Sequence, residues 1–508
     1  MAKPFHTLLA ESLSRVEKSA REGIIRSHDI SRHDRERLLK SGWLQQIITG
    51  WYLLASPQTI QGESTSWFAS FWVFIQQYLH ERFAEDYCLS AESSLDIHTA
   101  NNVIPQQVVV ITKTGGNYTL SLPHHTSIVI YQDSKKFPTS IQTKNKLQLM
   151  PVSMALCRAT KSFFQRQPMN AKIALFMLQD PSELTRHLLQ GGMVQAAGRL
   201  AGACRQIGRE DFTQAIIHTM KTAGFAVIEE NPFDQSQMMN TQKYGQRIIS
   251  PYNARIINMW EMMRDDVIKN FPKRKPTTAS TQTIIQHIED IYINDAYNSL
   301  SIEGYKVSKS LIEKIKTGEW NPDHNESDLQ QRNALAAKGY YFAFLAIKKS
   351  IHHVLNGSDV VVVIQRDLSK WYQALFSPSV EAGLIESVHL AGYRNDRVYI
   401  RDSLHVPPPK EAVLDCMDAF FSCLRNEDDP VVRAVLGHFI FVFIHPYMDG
   451  NGRIGRFLMN VLWSDAGYPW TIIRLKSRNQ YLQSLEIASV NKNIMPFTIF
   501  LANEMSAN

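Results

Sequence analysis

Twelve consecutive residues, HPYMDGNGRIGR from His445 to Arg456, hold the densest collection of chemically capable side chains in the sequence. His445 is the only side chain among them whose pKa lies near neutrality, so it can take a proton from an attacking hydroxyl. Asp449 supplies a hard carboxylate suited to Mg²⁺ between two phosphates. Gly450 and Gly452 let the backbone curl closely around a phosphate, and Asn451 between them is an added donor. Arg453 and Arg456 stand three apart on a helix and can both reach forward to phosphate oxygens. A histidine before proline or a glycine-rich turn is common by itself. The combination at fixed offsets is not.

The elements that must position these residues are legible on either side. VVRAVLGHFIFVFI, Val431 to Ile444, is apolar nearly all round, as a helix in the middle of a bundle must be. His445-Pro446 ends it, because Pro446 cannot continue the ladder and biases the preceding residue away from the helical region. A second helix begins after Gly450-Asn451-Gly452, with Ile454, Phe457, Leu458, Val461 and Leu462 as its inward stripe. The loop therefore sits at a helix N-terminus, where unpaired N–H groups and the positive dipole end favour an anion.

This stretch resembles the Fic family signature, HxFx(D/E)GNGRxxR, at every position but one, where Tyr447 replaces the usual Phe. His438, Tyr481 and the segment AGYRNDRVYIRDSLHVPPP from Ala391 to Pro409, similar to the family's target-docking flap, extend the likeness over about residues 280 to 505. The resemblance implies protein adenylyl transfer, with ATP and Mg²⁺. In it His445 is the base, Asp449 holds the metal, and Gly450, Asn451, Gly452, Arg453 and Arg456, with Tyr481, form the ATP and phosphate site. The target would be a protein hydroxyl of Tyr, Thr or Ser, the chain itself included. Relatives with Lys in place of Gly452, which phosphorylate, match less well. The resemblance also implies a brake. Ser299-Leu300-Ser301-Ile302-Glu303-Gly304 fits the family's inhibitory pattern (S/T)xxxE(G/N), in which Glu303 pairs with Arg456 and occupies the space of the γ-phosphate. Read from the residues alone, Ile284, Ile288, Ile291 and Tyr292 form a helical stripe ending near Gly304, which leaves the Glu303 carboxylate at a helix C-terminus in want of a cation. A second role for Glu303, activating water to remove AMP, stays open.

At 508 residues the chain exceeds a single core, and a prior of roughly 150 residues per domain gives about three. The expected class is multidomain: a winged helix-turn-helix over 1–56, a mixed α/β regulatory domain over 57–230, a connector over 231–279, and a mainly α-helical catalytic bundle over 280–508. In the first segment Ser31 caps a helix with Leu38 and Leu39 inward and Arg32, His33, Arg35 and Arg37 outward, completing a helix, helix, basic helix and wing. Those four residues are the candidate DNA contacts, against the plainer reading of a solvated charged face. Gly42, Leu44, Gly50 and Tyr52 in the expected wing resemble the winged-helix domain of the type IV abortive-infection antitoxin family. That likeness implies transcriptional autoregulation and supplies the alternative reading, a DNA-binding regulator whose C-terminal domain senses nucleotide.

In the second segment QQVVVITKT, YTLSLP and SIVIYQD read as three strands, with a Gly115-Gly116 turn between the first two and helices from about Pro151 to Thr222. NPFDQSQMMNTQKYGQ and FPKRKPTTAS read as linkers, and Ser358 as the cap of a valine-led helix.

Composition narrows the classes. The net charge of +6 is too small over this length to imply nucleic-acid binding by itself. No run approaches the roughly 18 apolar residues of a membrane span, and five scattered cysteines without a CxxC point to neither a disulfide framework nor a zinc site. A reducing cytoplasm fits this usage; a homodimer is compatible with it. A nucleotide hydrolase or kinase is disfavoured by the lack of a Walker A loop or kinase signature set.

Overall fold

The structure, a computed structural model, describes residues 4–20, 22–55, 64–233, 250–272, 279–320 and 328–507. The chain divides into two bodies: Met1–Pro251 with Tyr399–Val406, and Tyr252–Val398 with Pro407–Asn508.

The first body opens with α1 (Phe5–Ser19), β1 (Ile24–Arg26), α2 (Arg32–Lys40) and a hairpin of β2 (Leu44–Ile48) and β3 (Trp51–Leu54). The expected order of three helices before the wing is corrected to helix, strand, helix. Gly23, at φ 84°, turns the chain, and the β-branched pair Ile24-Ile25 adds an edge to the hairpin, giving the order β1-β3-β2. Ser31 does cap α2, its hydroxyl accepting the Asp34 N–H at 3.1 Å. Leu38 is fully buried against Val16, Ile25 and Tyr52, but Leu39 is 36% exposed. One residue is 100° of helix, so only one of the two leucines can face this thin core.

The apolar run from Trp67 becomes α3 (Thr65–Phe83), burying Trp67, Phe71, Phe74, Ile75 and Leu79. Next come β4 (Tyr87–Leu89), α4 (Ala91–His98), β5 (Gln107–Thr112), β6 (Tyr118–Ser121) and β7 (Ser127–Gln132). The three expected strands are present, but the sheet order is β4-β5-β7-β6. β5 runs parallel to β7, Val109 opposite Val129, and β6 pairs with β7 instead of β5. Gly115-Gly116 therefore turns the chain without making a hairpin of its flanking strands. A small ribbon, β8 (Gln142–Lys144) and β9 (Leu147–Leu149), leads into α5 (Val152–Arg158), α6 (Lys161–Arg166), α7 (Pro168–Met177), α8 (Ser182–Gln190), α9 (Val194–Gln206) and α10 (Glu210–Thr222). These helices enclose a core of their own around Phe164, Leu175, Leu188, Leu200 and Ile216.

The second body is helical. Within the expected connector, 234–249 and 273–278 lie outside the described residues, whereas α11 (Pro251–Asn270) is an ordered helix. Its Ile256, Met259, Trp260, Met263 and Val267 are buried, and Trp260 and Arg264 both donate to the buried Glu427 carboxylate at 3.0 Å. It is part of the bundle; polar flanks masked a helical apolar spacing. Then follow α12 (Thr281–Ile302), α13 (Lys309–Thr317), α14 (Asp328–Leu355), α15 (Val360–Glu381), α16 (Val413–Asn426), α17 (Pro430–Ile444), α18 (Asn451–Asp465), α19 (Arg478–Asn491) and α20 (Met495–Ser506). The valine run at 360–363 is helical, but Asp359, not Ser358, caps it by accepting the Val362 N–H at 2.9 Å. A carboxylate at that position also meets the helix dipole favourably. Among the described residues no helix is long and apolar enough to cross a membrane, and all five cysteines are buried free thiols.

Candidate active site

α17 and α18 are the innermost helices of the second body. Val435, Leu436, Ile440 and Phe441 on one, and Ile454, Phe457, Leu458 and Val461 on the other, have at most 1% exposure. So tightly held a pair fixes the loop between them. His445 stops α17 in the left-handed region, φ 54° and ψ 59°. That agrees with Pro446 forbidding the right-handed helix, yet it is the region where a residue with a Cβ is strained by roughly 1–2 kcal/mol. Asn451 accepts the Tyr447 N–H at 2.9 Å and donates to the Tyr447 carbonyl at 2.8 Å. Its side chain thus braces the loop's own backbone, using one of its two amide N–H groups. The Tyr447 ring lies stacked on Tyr372 at 3.9 Å.

Gly450, at φ 78°, is the N-cap of α18. A Cβ there would meet Phe376 at 2.8 Å, so both conformation and space demand glycine. Gly452 is helical, and for it only the space matters: a Cβ would collide with Glu303 Oε1 and stand 3.2 Å from Arg456 Nη1. The first turn of α18 accordingly presents bare backbone to a carboxylate and a guanidinium.

His445 Nδ1 faces the Val442 carbonyl at 3.1 Å. With the proton on Nδ1 donated there, Nε2 keeps its lone pair for an incoming hydroxyl. Burial lowers the His445 pKa, the Val442 bond opposes that, and the nearby Arg394 charge adds to the lowering. The ring is held neutral, the form a base needs.

Two arginines of α18 are buried, Arg453 at 2% and Arg456 at 4% exposure. Arg453 lies over Tyr305 and Phe376 at 5.2 and 5.1 Å and reaches Asp449 at 3.2 Å. Arg456 donates to Ser299 Oγ at 2.9 Å, to the Ser299 carbonyl at 3.1 Å and to Glu303 Oε1 at 2.7 Å. Burial works against its charge; Glu303 more than compensates, and its pKa is raised. Arg453 Nε and Arg456 Nη1 nevertheless lack hydrogen-bond partners among the described residues. Unpaired buried donors are costly and scarce in folded proteins, and an anion in the glycine turn would satisfy them. A cavity of about 260 Å³ opens beside Arg453, lined by Tyr305, Arg332, Phe376 and Asp449 among others.

Residues 363–463 match the model of the Fic/DOC family. This segment is similar to a Fic domain. Among similar proteins, the "Protein adenylyltransferase Fic" of Nematostella vectensis is 29% identical over 282 residues, 54% of this chain and 58% of that protein. The one from Drosophila grimshawi is 38% identical over 219 residues, covering 42% of this chain and 41% of that protein. The chain thus spans about half the length of the curated relatives it matches. A solved structure of Fic-1 (residues 134–508) from Caenorhabditis elegans aligns with 70% of this chain and 94% of its own at 17% identity and a TM-score of 0.37.

Around this loop the structure sorts the sequence candidates. Ser299 and Glu303, on α12 and its C-cap, meet Arg456 as drawn from the motif. Tyr481 is buried, its hydroxyl 2.8 Å from His438 Nε2. Burial takes His438 down to about 4, so it stays neutral and serves packing. Asp449 is exposed at 64%, one oxygen accepting the Gly450 N–H at 2.6 Å and the other facing Arg453. A single outward carboxylate beside a glycine turn at a helix N-terminus fits Mg²⁺, which takes few protein ligands and keeps waters and phosphates. Arg32, His33, Arg35 and Arg37 belong to the other body. Arg37 turns inward to Ser12 Oγ at 2.5 Å and Arg35 lies 5.9 Å from Tyr52, whereas Arg32 pairs with Glu36 at 2.7 Å.

Sequence reading missed two participants. Asp295, buried on α12, accepts from Tyr340 at 2.6 Å and Trp470 at 3.1 Å and anchors the helix that carries Glu303. A polar residue on the stripe of Ile288 and Tyr292 was the available signal. The other is Arg394, whose signal was only its place in the resembling flap.

Proposed function

We propose that this chain is a protein adenylyltransferase that rests autoinhibited. The observation that carries the reading is the Glu303 carboxylate, which lies against Gly452 and binds Arg456 at 2.7 Å. An internal anion fills the turn built for an external one. With Glu303 withdrawn, the N–H groups of α18, Arg453 and Arg456 receive the phosphates of ATP. His445 Nε2 then takes the proton of a Tyr, Thr or Ser hydroxyl of a target protein; the oxygen bonds to the α-phosphorus as the bond to pyrophosphate breaks. Positioning and charge neutralisation supply most of the acceleration. Asp449 would hold Mg²⁺, which supplies neutralisation of phosphate charge when bound.

The brake works by geometry. While Glu303 holds Arg456, a γ-phosphate has neither its cation nor its space, and an ATP bound out of place is not attacked. Glu303→Gly should therefore raise incorporation of label from α-labelled ATP into the protein itself, by one to two orders of magnitude if the pair costs about 1.4–2.8 kcal/mol to break. Incorporation no greater than wild type would sink the brake.

A further inference from the structure

His445 occupies a strained backbone position, and Pro446 explains why it leaves α17 but not why it stays left-handed. The residue that answers this is Arg394. It is 5% exposed, and its backbone N–H donates to the Pro446 carbonyl at 2.8 Å. Nε donates to the His445 carbonyl at 2.8 Å, one Nη to Asp396 O at 3.0 Å and the other to Pro408 O. One buried guanidinium thus ties the carbonyl of the base to both ends of the segment between Arg394 and Pro408.

We infer that Arg394 is the positioning residue of the active site: its planar fork fixes the left-handed turn at His445 and so aims Nε2. The argument rests on the reading of His445 as the base. Carbonyls in three directions, one of them on a strained residue, need a donor of fixed geometry. Guanidinium provides that and a lysine ammonium, a compact point charge on a flexible stem, does not. The bond pattern on the ring follows: Nδ1 meets Val442 O only while the backbone of His445 holds its turn. Since Arg394 bonds neither to Gly450–Gly452 nor to Arg453 or Arg456, loss of its fork disturbs the proton acceptor and leaves the phosphate nest in place.

The experiment uses the full chain carrying Glu303→Gly, so that self-modification is measurable, and adds Arg394→Lys or Arg394→Ala. Two quantities are read from labelled ATP: the rate at saturation and the ATP concentration giving half that rate. Arg394→Lys should lower the saturated rate about tenfold to a hundredfold, with half-saturation within about twofold of the parent, because a misplacement near 1 Å acts on the step and not on ATP binding. Arg394→Ala should lose at least as much; where it does not fold, Arg394→Lys decides. An unchanged saturated rate in Arg394→Lys overturns the inference, and so does a loss of ATP affinity that accompanies the loss of rate, since that marks general collapse of the loop. A Glu303→Gly parent that incorporates nothing overturns the underlying functional reading instead, and with it this one.

Discussion

Two helices of this protein carry arginines three residues apart near their N-termini, and they put them to opposite use. On α2, Arg32 is 78% exposed and paired with Glu36, and Arg37 and Arg15 converge on Asp34. Every charge there has an acid or water at hand. On α18, Arg453 and Arg456 are buried, stacked on rings or clamped by Ser299 and Glu303, and each keeps an unpaired N–H. Burying a guanidinium without completing its bonds is costly, and at the glycine turn an anion from outside the chain would complete them. The spacing of the arginines alone does not distinguish the two helices. Burial with unfinished bonding does.

The strongest blow to this comparison strikes the base. In the Glu303→Gly background, His445→Ala should lower self-adenylylation by about 10²–10⁴-fold, the contribution of a positioned general base, with ATP binding retained. Arg456→Ala comes next. It removes both the brake and a phosphate ligand, so labelling should stay below that of Glu303→Gly by roughly tenfold or more, the worth of a charge-assisted contact. Labelling at the Glu303→Gly level would show that Arg456 serves the brake alone. Asn451→Ala acts on stability: it orphans the Tyr447 N–H and carbonyl in a buried loop and should cost about 2–4 kcal/mol by denaturant titration.

The bundle was legible because its signals are local. An all-round apolar helix, a proline stop, a glycine start and a regular inward stripe fix α17, the loop and α18 without reference to the rest of the chain. The Glu303–Arg456 pair spans 153 positions, and only a motif could announce it. The α11 helix hid between polar stretches, and the parallel pairing of β5 with β7 is a matter of long-range order that alternation cannot encode. Asn451 shows a subtler limit. Its type says that it can donate, while the partner, Tyr447's own backbone, depends on the fold of the turn. Leu39 failed for a simpler reason, since adjacent apolar residues on a helix compete for one narrow core.

The smallest effects belong to α2 and test its side of the comparison. The carboxylate of Asp34 is held far below the usual range, first by its bond from Arg15, with burial opposing and the Ser12 and Ser31 hydroxyls assisting. A folded-state pKa below the unfolded one gives stability that is present above the unfolded value and is lost as pH falls toward the folded one. The thermal stability of the first body should therefore fall below about pH 4 in the wild type. Asp34→Asn should lower the melting temperature at neutral pH and flatten that acid limb, because no proton remains to be taken up at this position. Arg32→Ala, by contrast, removes only an exposed pair across one helical turn, and should leave the melting temperature almost unchanged. Equal losses for Asp34→Asn and Arg32→Ala at neutral pH would mean that the Arg15–Asp34–Arg37 cluster is no more than a solvated surface network. A clear gap between them would show that even on the conventional helix the one buried charge outweighs its exposed neighbours. The two helices would then differ in whether the buried charge is completed from within the chain or from outside it.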